Sequence, residues 1–296
     1  MYTIKNIDKQ FKLTELNISI DNINDIQYHD IDILLITQYK LDVLPILPKN
    51  IRVLSFSINK IEKIDKLPDS LLILECDNNY LKELPDLPIN LKKLNCYGND
   101  FIKLPKLPNS LLYLYCGINN ILNLPKLPES LEYLNCFANN ITKISKLPNS
   151  LKHFNCEDNK LTELPKLPNG LTFINCECNY LTQLPELPIN LDILNCANNN
   201  LIKLPELPIN LDILNCENNN LINLPNLPIN LKELYCSENP FLKTLPKNII
   251  YCKKIKYYKK YNYYNYENHL TYIINIHIEY YYYLLIMKYY NNKYLN

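Results

Sequence analysis

The sequence predicts a β-rich solenoid: a curved coil of short parallel strands with an extended, polyproline-like back and little helix. Nine cysteines recur every 20 residues from Cys76 to Cys236, and an asparagine stands three residues after each of them. Proline is abundant, with 20 residues, whereas glycine occurs only 3 times. A unit that returns to the same position after every 20 residues can only coil, and its successive strands then pair in parallel, about 4.8 Å apart.

Residues 44–243 divide into ten such units, written LPxLPxxLxxLxCxxNxLxx, and a degenerate unit precedes them. In the LxxLxC part, apolar residues such as Leu94 and Cys96 alternate with polar ones such as Asn95. This alternation predicts a short strand that points both apolar side chains into the core. The LPxLP part cannot be helical, because proline lacks an N–H and favours extended geometry in the residue before it. We therefore expect an extended wall opposite the strands.

Caps are expected at both ends, because the terminal coil of a solenoid otherwise exposes its core. We assign 1–23 to an N-terminal cap, 24–243 to the solenoid, and 244–296 to a C-terminal cap and a Tyr/Lys-rich tail. The alternating run 11–20 is the candidate strand over the first coil. Proline stops after Pro246, which marks the change into the last segment.

The column of cysteines is interpreted as structural. Phe56 and Ile36 occupy the same slot in earlier units, which only an apolar role explains, and a free cysteine packs as a small hydrophobe. Neighbours near 4.8 Å would also fall within disulfide range, but no second Cys pair or nearby His completes a zinc pattern. We expect no metal and no cofactor. The column of asparagines predicts a hydrogen-bonded ladder, because each buried amide can satisfy backbone groups of its own and the adjacent coil.

These motifs resemble leucine-rich repeats. The pattern is clear in residues 91–101, LKKLNCYGNDF, followed by LPKLP at 104–108. The 20-residue length and the LPxLP segment are similar to the short bacterial-type class found in secreted bacterial effectors. With its Asn, Ile and Tyr bias, the chain is also similar to repeat proteins of AT-rich giant amoebal viruses. The resemblance implies the solenoid and the asparagine ladder, but it leaves the function open, because repeats of this kind serve many partners.

Composition and motifs argue against an enzyme. The 3 glycines leave no phosphate-binding loop of the G-x-G-x-x-G or G-x-x-x-x-G-K-[ST] type, and no Ser/His/Asp or Cys/His arrangement emerges. The net charge of +1 indicates neither a nucleic-acid nor a membrane partner. We therefore expect a non-catalytic protein.

The concave face of the strands is the candidate partner-binding site. Its side chains are the residue before the central Leu, the residue between Leu and Cys, and the residue after Cys. Aromatic rings gather there over five adjacent units: Tyr97, Tyr113, Tyr115, Tyr133, Phe137, His153 and Phe173. An acidic flank follows: Glu157, Glu177, Asp192, Asp212 and Glu217. Exposed aromatic clusters mark interaction sites, although aromatic residues also favour strands and pair along sheets. We hypothesise a protein or peptide partner, a host protein being one candidate, that is apolar at its centre and basic at its edge.

The tail provides an alternative function. Of the 25 tyrosines, 15 lie from Tyr251 onward, interleaved with lysines, and basic segments with aromatic residues can bind nucleic acid or other polyanions. The apolar run 269–287 is interrupted by polar residues, so we expect no membrane span. Residues 1–9 lack an apolar signal segment, and 11 cysteines is an odd number. Both observations indicate a cytoplasmic protein, in the host cytosol if it is viral.

Overall fold

The part of the chain that the structure describes contains fourteen short strands, which lie side by side in one sheet. The computed structural model describes residues 2–7, 13–18, 32–246 and 254–256, and these residues contain no helix. All of the described residues belong to one compact unit, which lies within 1–259. The strands are β1 Tyr2–Ile7, β2 Leu13–Ile18, β3 Ile33–Leu35, β4 Val53–Ser55, β5 Ile73–Glu75, β6 Lys93–Asn95, β7 Tyr113–Tyr115, β8 Tyr133–Asn135, β9 His153–Asn155, β10 Phe173–Asn175, β11 Ile193–Asn195, β12 Ile213–Asn215, β13 Glu233–Tyr235 and β14 Lys254–Lys256.

The strands β3 to β14 pair in parallel and follow one another in chain order. From β3 to β13 each residue faces the residue 20 positions away; Phe173, for example, pairs with His153 on one side and Ile193 on the other. Equivalent positions of successive coils are therefore neighbours, and any residue type that recurs in the sequence becomes a continuous column in the structure. The predicted β-rich parallel solenoid is confirmed.

The N-terminal strands differ in order from the sequence expectation. The run 11–20 does contain a strand, β2, but β2 does not pair with the first coil. Instead β1 lies between them, pairing antiparallel with β2 and, through Ile4 and Leu34, with β3. A two-strand hairpin covers more of the exposed coil end than a single strand does, and it satisfies both edges of β1.

At the other end, β14 lies in the segment assigned to the C-terminal cap and tail, and it extends the sheet beside β13. Glu233 faces Lys254 there, so the pairing residues are 21 positions apart rather than 20. The Tyr/Lys-rich run after residue 256 and the apolar run 269–287 lie outside the described residues.

The apolar positions of each coil form one continuous core. In the coil of β6, Leu94 and Cys96 are completely buried. The ten cysteines of the described residues are free thiols, and the nine of the repeating column are buried. Burial raises the pKa of the Cys136 thiol to about 12, so the group stays protonated and packs as a small apolar side chain. In several coils the thiol also donates to a backbone carbonyl of the next coil, as Cys76 does to Asn95 at 3.3 Å.

The asparagine ladder links each coil to its neighbours. The Nδ2 group of Asn139 donates to the carbonyls of Cys116, Cys136 and Phe137 at 3.0 to 3.1 Å. Its Oδ1 accepts the N–H of Ile121 at 2.9 Å. Every ladder asparagine repeats this arrangement, so the turn after each strand has its backbone groups satisfied by one amide side chain.

Candidate partner-binding face

Three columns of side chains point away from the core along β4 to β13, and we call these columns together the strand face. The first column is the residue before the central Leu, the middle column lies between Leu and Cys, and the third column follows Cys. All seven aromatic and histidine residues that the sequence singled out lie in these columns. Their assignment to partner binding stays a prediction.

Five of the seven rings form one group of neighbours, which we call the aromatic column: Tyr113, Tyr115, Tyr133, His153 and Phe173. The His153 ring lies between Tyr133 and Phe173, with centroids 4.0 Å away on each side and planes within 7° of parallel. The rings of Tyr115 and Tyr113 lie 4.8 and 6.4 Å from the Tyr133 ring and are tilted against it by 32° and 35°. The in-register pairing of β7 to β10 brings the rings together, because equivalent side chains of neighbouring parallel strands are one strand spacing apart. The rings therefore cover one another's faces and leave their edges toward the open side.

Tyr97 and Phe137 form a separate pair in the third column. They belong to coils that are not adjacent, and their ring centroids are 5.7 Å apart. The coil between them carries Gly117, and a Cβ at that position would lie 2.6 Å from Cδ1 of the Phe137 ring. Glycine thus provides the space through which Phe137 reaches back to Tyr97. Phe137 is only 8% exposed, so most of its surface is used in packing.

The His153 side chain behaves as an aromatic ring rather than as a polar group. Its Nε2 atom is buried and has no hydrogen-bond partner among the described residues. Burial lowers the pKa of the imidazole to about 3, which keeps it neutral at physiological pH. Stacking between two neutral rings, with no donor or acceptor at Nε2, explains the direction of this shift.

The middle column contains a second asparagine ladder, to which the sequence analysis assigned no role. The Oδ1 atom of Asn155 accepts the N–H of Glu157 at 3.0 Å, and Asn175 Nδ2 donates to the Glu157 carboxylate at 2.7 Å. Asn155 is only 1% exposed although it points away from the core. The sequence does contain a sign of this second ladder, because asparagine recurs at one outward position in six units: Asn95, Asn135, Asn155, Asn175, Asn195 and Asn215.

The predicted acidic flank divides into two groups in the structure. Glu157, Glu177 and Glu217 lie in the third column, beside the middle asparagines. Asp192 and Asp212 precede the first column, and the carboxylate of Asp212 pairs with Lys232 at 2.5 Å. Only the glutamates therefore belong to the strand face.

An ion pair lies at the other end of the aromatic column. The Nζ atom of Lys93 is 2.8 Å from the Glu75 carboxylate, and both side chains are 9% exposed. The same ammonium group lies 5.6 Å from the centroid of the Tyr115 ring. The strand face thus holds a lysine of its own between a carboxylate and an aromatic ring, an arrangement that favours a cation.

Within the described ranges, no three His, Cys, Asp or Glu side chains are grouped so that they could hold a metal ion. The same part of the chain has no helix with the length and apolar character needed to cross a membrane.

Comparisons with solved structures identify similar solenoids. YopM from Yersinia enterocolitica WA-314 is 34% identical over 74% of this chain, with a TM-score of 0.67. The match includes 53% of that YopM, so this chain spans about half of its length. No family model and no curated protein matches the sequence.

Two further solved structures extend the likeness. A chain of the octameric complex of Latrophilin 3, Unc5D and the leucine-rich-repeat part of FLRT2 is 26% identical, with a TM-score of 0.55. That match covers 67% of this chain and 70% of the other. The functional domain of InlJ from Listeria monocytogenes, which includes a cysteine ladder, is 23% identical with a TM-score of 0.56, and it shows the fold alone. Its match covers 75% of this chain and 56% of the InlJ domain.

The 20-residue period, the LPxLP segment, the in-register parallel strands and the asparagine ladder occur together in this chain. With the likeness to YopM, these features establish the family: the chain is a leucine-rich-repeat protein of the short, bacterial-type class.

Proposed function

We propose that this chain is a non-catalytic interaction module that binds a protein or peptide partner on its strand face. The observation that carries the proposal is the aromatic column, in which four strands in a row present neighbouring rings away from the core, three of them stacked. Half-buried rings with few rotatable bonds supply large contact area at low entropic cost, and aromatic residues dominate the binding energy of many interfaces.

The rigidity of the face supports the same function. The buried asparagine ladder binds the backbone of each coil to its neighbour, and middle-column asparagines such as Asn175 bond the carboxylate of the preceding coil. The rings of Tyr133, His153 and Phe173 are held by their own stacking. A surface that is already ordered loses little conformational entropy when a partner binds. The FLRT2 leucine-rich repeats occur in a complex with two other proteins, which is consistent with an interaction role for a similar solenoid.

We further propose a cytoplasmic, reducing location. The support is that the ten described cysteines are free thiols, although the nine of the repeating column lie in neighbouring coils. Disulfides are rare in reducing compartments, and free thiols persist there.

The experiment selects binding peptides from a random library displayed on phage, using the full-length chain as bait. Selected peptides are then titrated against a Tyr113→Ser, Phe173→Ser variant. The matched control removes two exposed aromatic rings outside the strand face, with Tyr80→Ser and Tyr180→Ser. We expect the first variant to bind roughly 30-fold or more weakly, because one interface ring often contributes about 2 kcal/mol, and the control to bind normally.

Thermal melting of both variants accompanies the titration, because ring stacking also contributes to stability. A variant that remains folded but binds as tightly as the wild type contradicts the proposal. Selection of peptides whose affinity depends on Tyr80 and Tyr180 instead would also contradict it.

A further inference from the structure

The charge of the strand face differs from that of the chain as a whole. The full sequence has a net charge of +1, with acidic and basic residues nearly balanced. The three columns of the strand face, over residues 44–243, contain one basic residue, Lys93, and six acidic residues: Glu75, Asp77, Glu157, Glu177, Glu217 and Glu233. A surface lined by one sign of charge attracts partners of the other sign and speeds their association.

We propose that the partner is a basic, extended polypeptide segment in which apolar residues alternate with lysine or arginine. This proposal rests on the proposed function and adds the chemistry of the partner. The cationic side chains bind the third-column glutamates, and the apolar side chains contact the edges of the aromatic column.

Two of the third-column glutamates, Glu157 and Glu177, accept hydrogen bonds from asparagine amides. Each oxygen of the Glu177 carboxylate accepts a hydrogen bond from an amide, Asn195 Nδ2 at 2.6 Å and Asn198 Nδ2 at 2.8 Å. Asn175 holds the Glu157 carboxylate in the same way. An amide donor orients a carboxylate and carries no charge of its own, so these bonds pre-position Glu157 and Glu177 for a cation.

The strand face already shows how it accommodates an ammonium group. Lys93 extends along the face to the Glu75 carboxylate and lies beside the Tyr115 ring. A partner lysine placed near Glu157 or Glu177 would likewise meet a carboxylate on the strand face. Lys93 occupies the end of the strand face near β6. The partner's cations therefore bind at the other end, where the glutamates lie near β9 to β12.

The ring geometry decides which part of the partner contacts the aromatic column. The faces of Tyr133, His153 and Phe173 cover one another at 4.0 Å, so a partner cation cannot lie over those faces. Ring edges carry partial positive charge and favour apolar, aromatic or sulfur-containing contacts over cations. The partner must therefore keep its apolar side chains apart from its basic ones. In an extended chain alternate residues point to opposite sides, so one set can contact the aromatic column while the other reaches the third-column glutamates.

The experiment measures fluorescence anisotropy with two labelled peptides of equal length, one alternating leucine with lysine and the other alternating leucine with glutamate. Both are titrated with the full-length chain and with a Glu157→Gln, Glu177→Gln, Glu217→Gln variant. Glutamine retains an acceptor for the asparagine amides while it removes the charge. The matched control carries Glu163→Gln, Glu186→Gln and Glu206→Gln, which remove three exposed charges outside the strand face.

We expect the lysine peptide to bind and the glutamate peptide to bind at least about tenfold more weakly. The strand-face glutamine variant should lose about tenfold in affinity for the lysine peptide, since three charge pairs of up to about 0.5 kcal/mol each are removed, while the control keeps its affinity. Equal affinity for both peptides, or an equal loss in the control, overturns the basic partner.

The failure of this inference is distinguishable from that of the proposed function. If Tyr113→Ser, Phe173→Ser weakens binding of the lysine peptide but the glutamine variant does not, the strand face binds its partner without charge selection. If only the glutamine variant weakens binding, the partner is basic and the aromatic column is not its contact.

Discussion

At the scale of single residues, one asparagine per coil hydrogen-bonds backbone groups of its own coil and of the preceding coil. The ladder asparagine accepts one backbone N–H and donates to carbonyls of two coils, and it is nearly buried in every unit. Because the same side chain serves two coils, its loss exposes unsatisfied groups in both. A buried unpaired backbone group costs more than the net value of the bond that it has lost.

The Asn139→Ala substitution should lower the free energy of unfolding by roughly 1 to 3 kcal/mol, because the carbonyls and the Ile121 N–H lose their shared partner. Urea unfolding monitored by circular dichroism measures this. Asn120→Ala, at an exposed position of the preceding coil, is the matched control and should change stability little. Equal stability of the two variants would show that the ladder contributes nothing.

Gly117→Ala tests the close approach between the third-column rings. The new Cβ would lie 2.6 Å from the Phe137 ring, so the ring must move away from Tyr97. We expect a loss of roughly 1 to 3 kcal/mol in unfolding free energy, as for other overpacked sites. In a Phe137→Ala background the same substitution should cost much less. A double-mutant cycle with no coupling between the two positions would contradict the packing explanation.

At the scale of elements, three-residue strands become a binding face because they stack in register. A single strand of this length exposes one ring and has no stability alone. Four neighbouring strands, β7 to β10, place their rings within contact distance and so convert a sequence repeat into a continuous aromatic surface. The His153 ring lies between rings of the two neighbouring strands, and this burial lowers the pKa of its imidazole.

Acid should destabilise the protein partly through His153. The pKa of the folded-state imidazole is about 3, whereas an unfolded histidine has a pKa near 6.5. Between these values the unfolded chain binds a proton that the folded chain does not, so the stabilising effect is complete above about pH 6.5 and falls as the pH decreases. At about pH 5 the loss should approach 2 kcal/mol.

Comparison with His153→Phe isolates this contribution, because the carboxylates titrate in both proteins. Urea unfolding at neutral and mildly acidic pH should show a smaller loss in the Phe variant. Nitrogen-15 NMR of the imidazole should report a neutral ring at about pH 5. An imidazolium signal at that pH in the folded protein would refute the buried, neutral histidine.

At the scale of the whole molecule, stability comes from the interfaces between coils. Each coil contacts its neighbours through the strand pairs and ladders, so the solenoid resembles a one-dimensional array. The coils 184–203 and 204–223 differ only in Ala197 against Glu217 and Lys203 against Asn223. Such near-copies are interchangeable units of the stack.

Deletion of 204–223 should leave a folded protein, because it removes one full period and lets Ile193 pair with Glu233 in the same register. The dependence of unfolding free energy on urea should decrease in proportion to the surface lost. Deletion of only 204–213 serves as the control, since it removes half a coil and breaks both the register and the ladder. A full-period deletion that is as disruptive as the half-period deletion would refute independent stacking.

The repeat period, the parallel strands, the buried cysteines and the ladder asparagines could all be predicted from the sequence. The reason is that in a solenoid with in-register pairing, residues that are one period apart in the sequence are also neighbours in space. For the same reason the sequence indicated which aromatic residues lie in the outward columns of the strands. The middle-column asparagines were visible as a repeat, but their bonds to Glu157 and Glu177 depend on how side chains of adjacent coils meet.

Other features depend on contacts that no repeat unit contains. Each described coil turns after its strand through a residue with a positive φ angle. Gly98 is the one glycine at this position; in the next coil Ile118 adopts a φ of 46°. Local preference would oppose an isoleucine there by about 1 to 2 kcal/mol, and the hydrogen bonds to both neighbouring coils outweigh it. The insertion of β1 between β2 and β3, the reach of Phe137 over Gly117 and the unpartnered nitrogen of His153 likewise arise from packing between coils. The sequence by itself determined the coil and its columns; only the tertiary structure decided which side chains within those columns bind one another, because that depends on distances between coils.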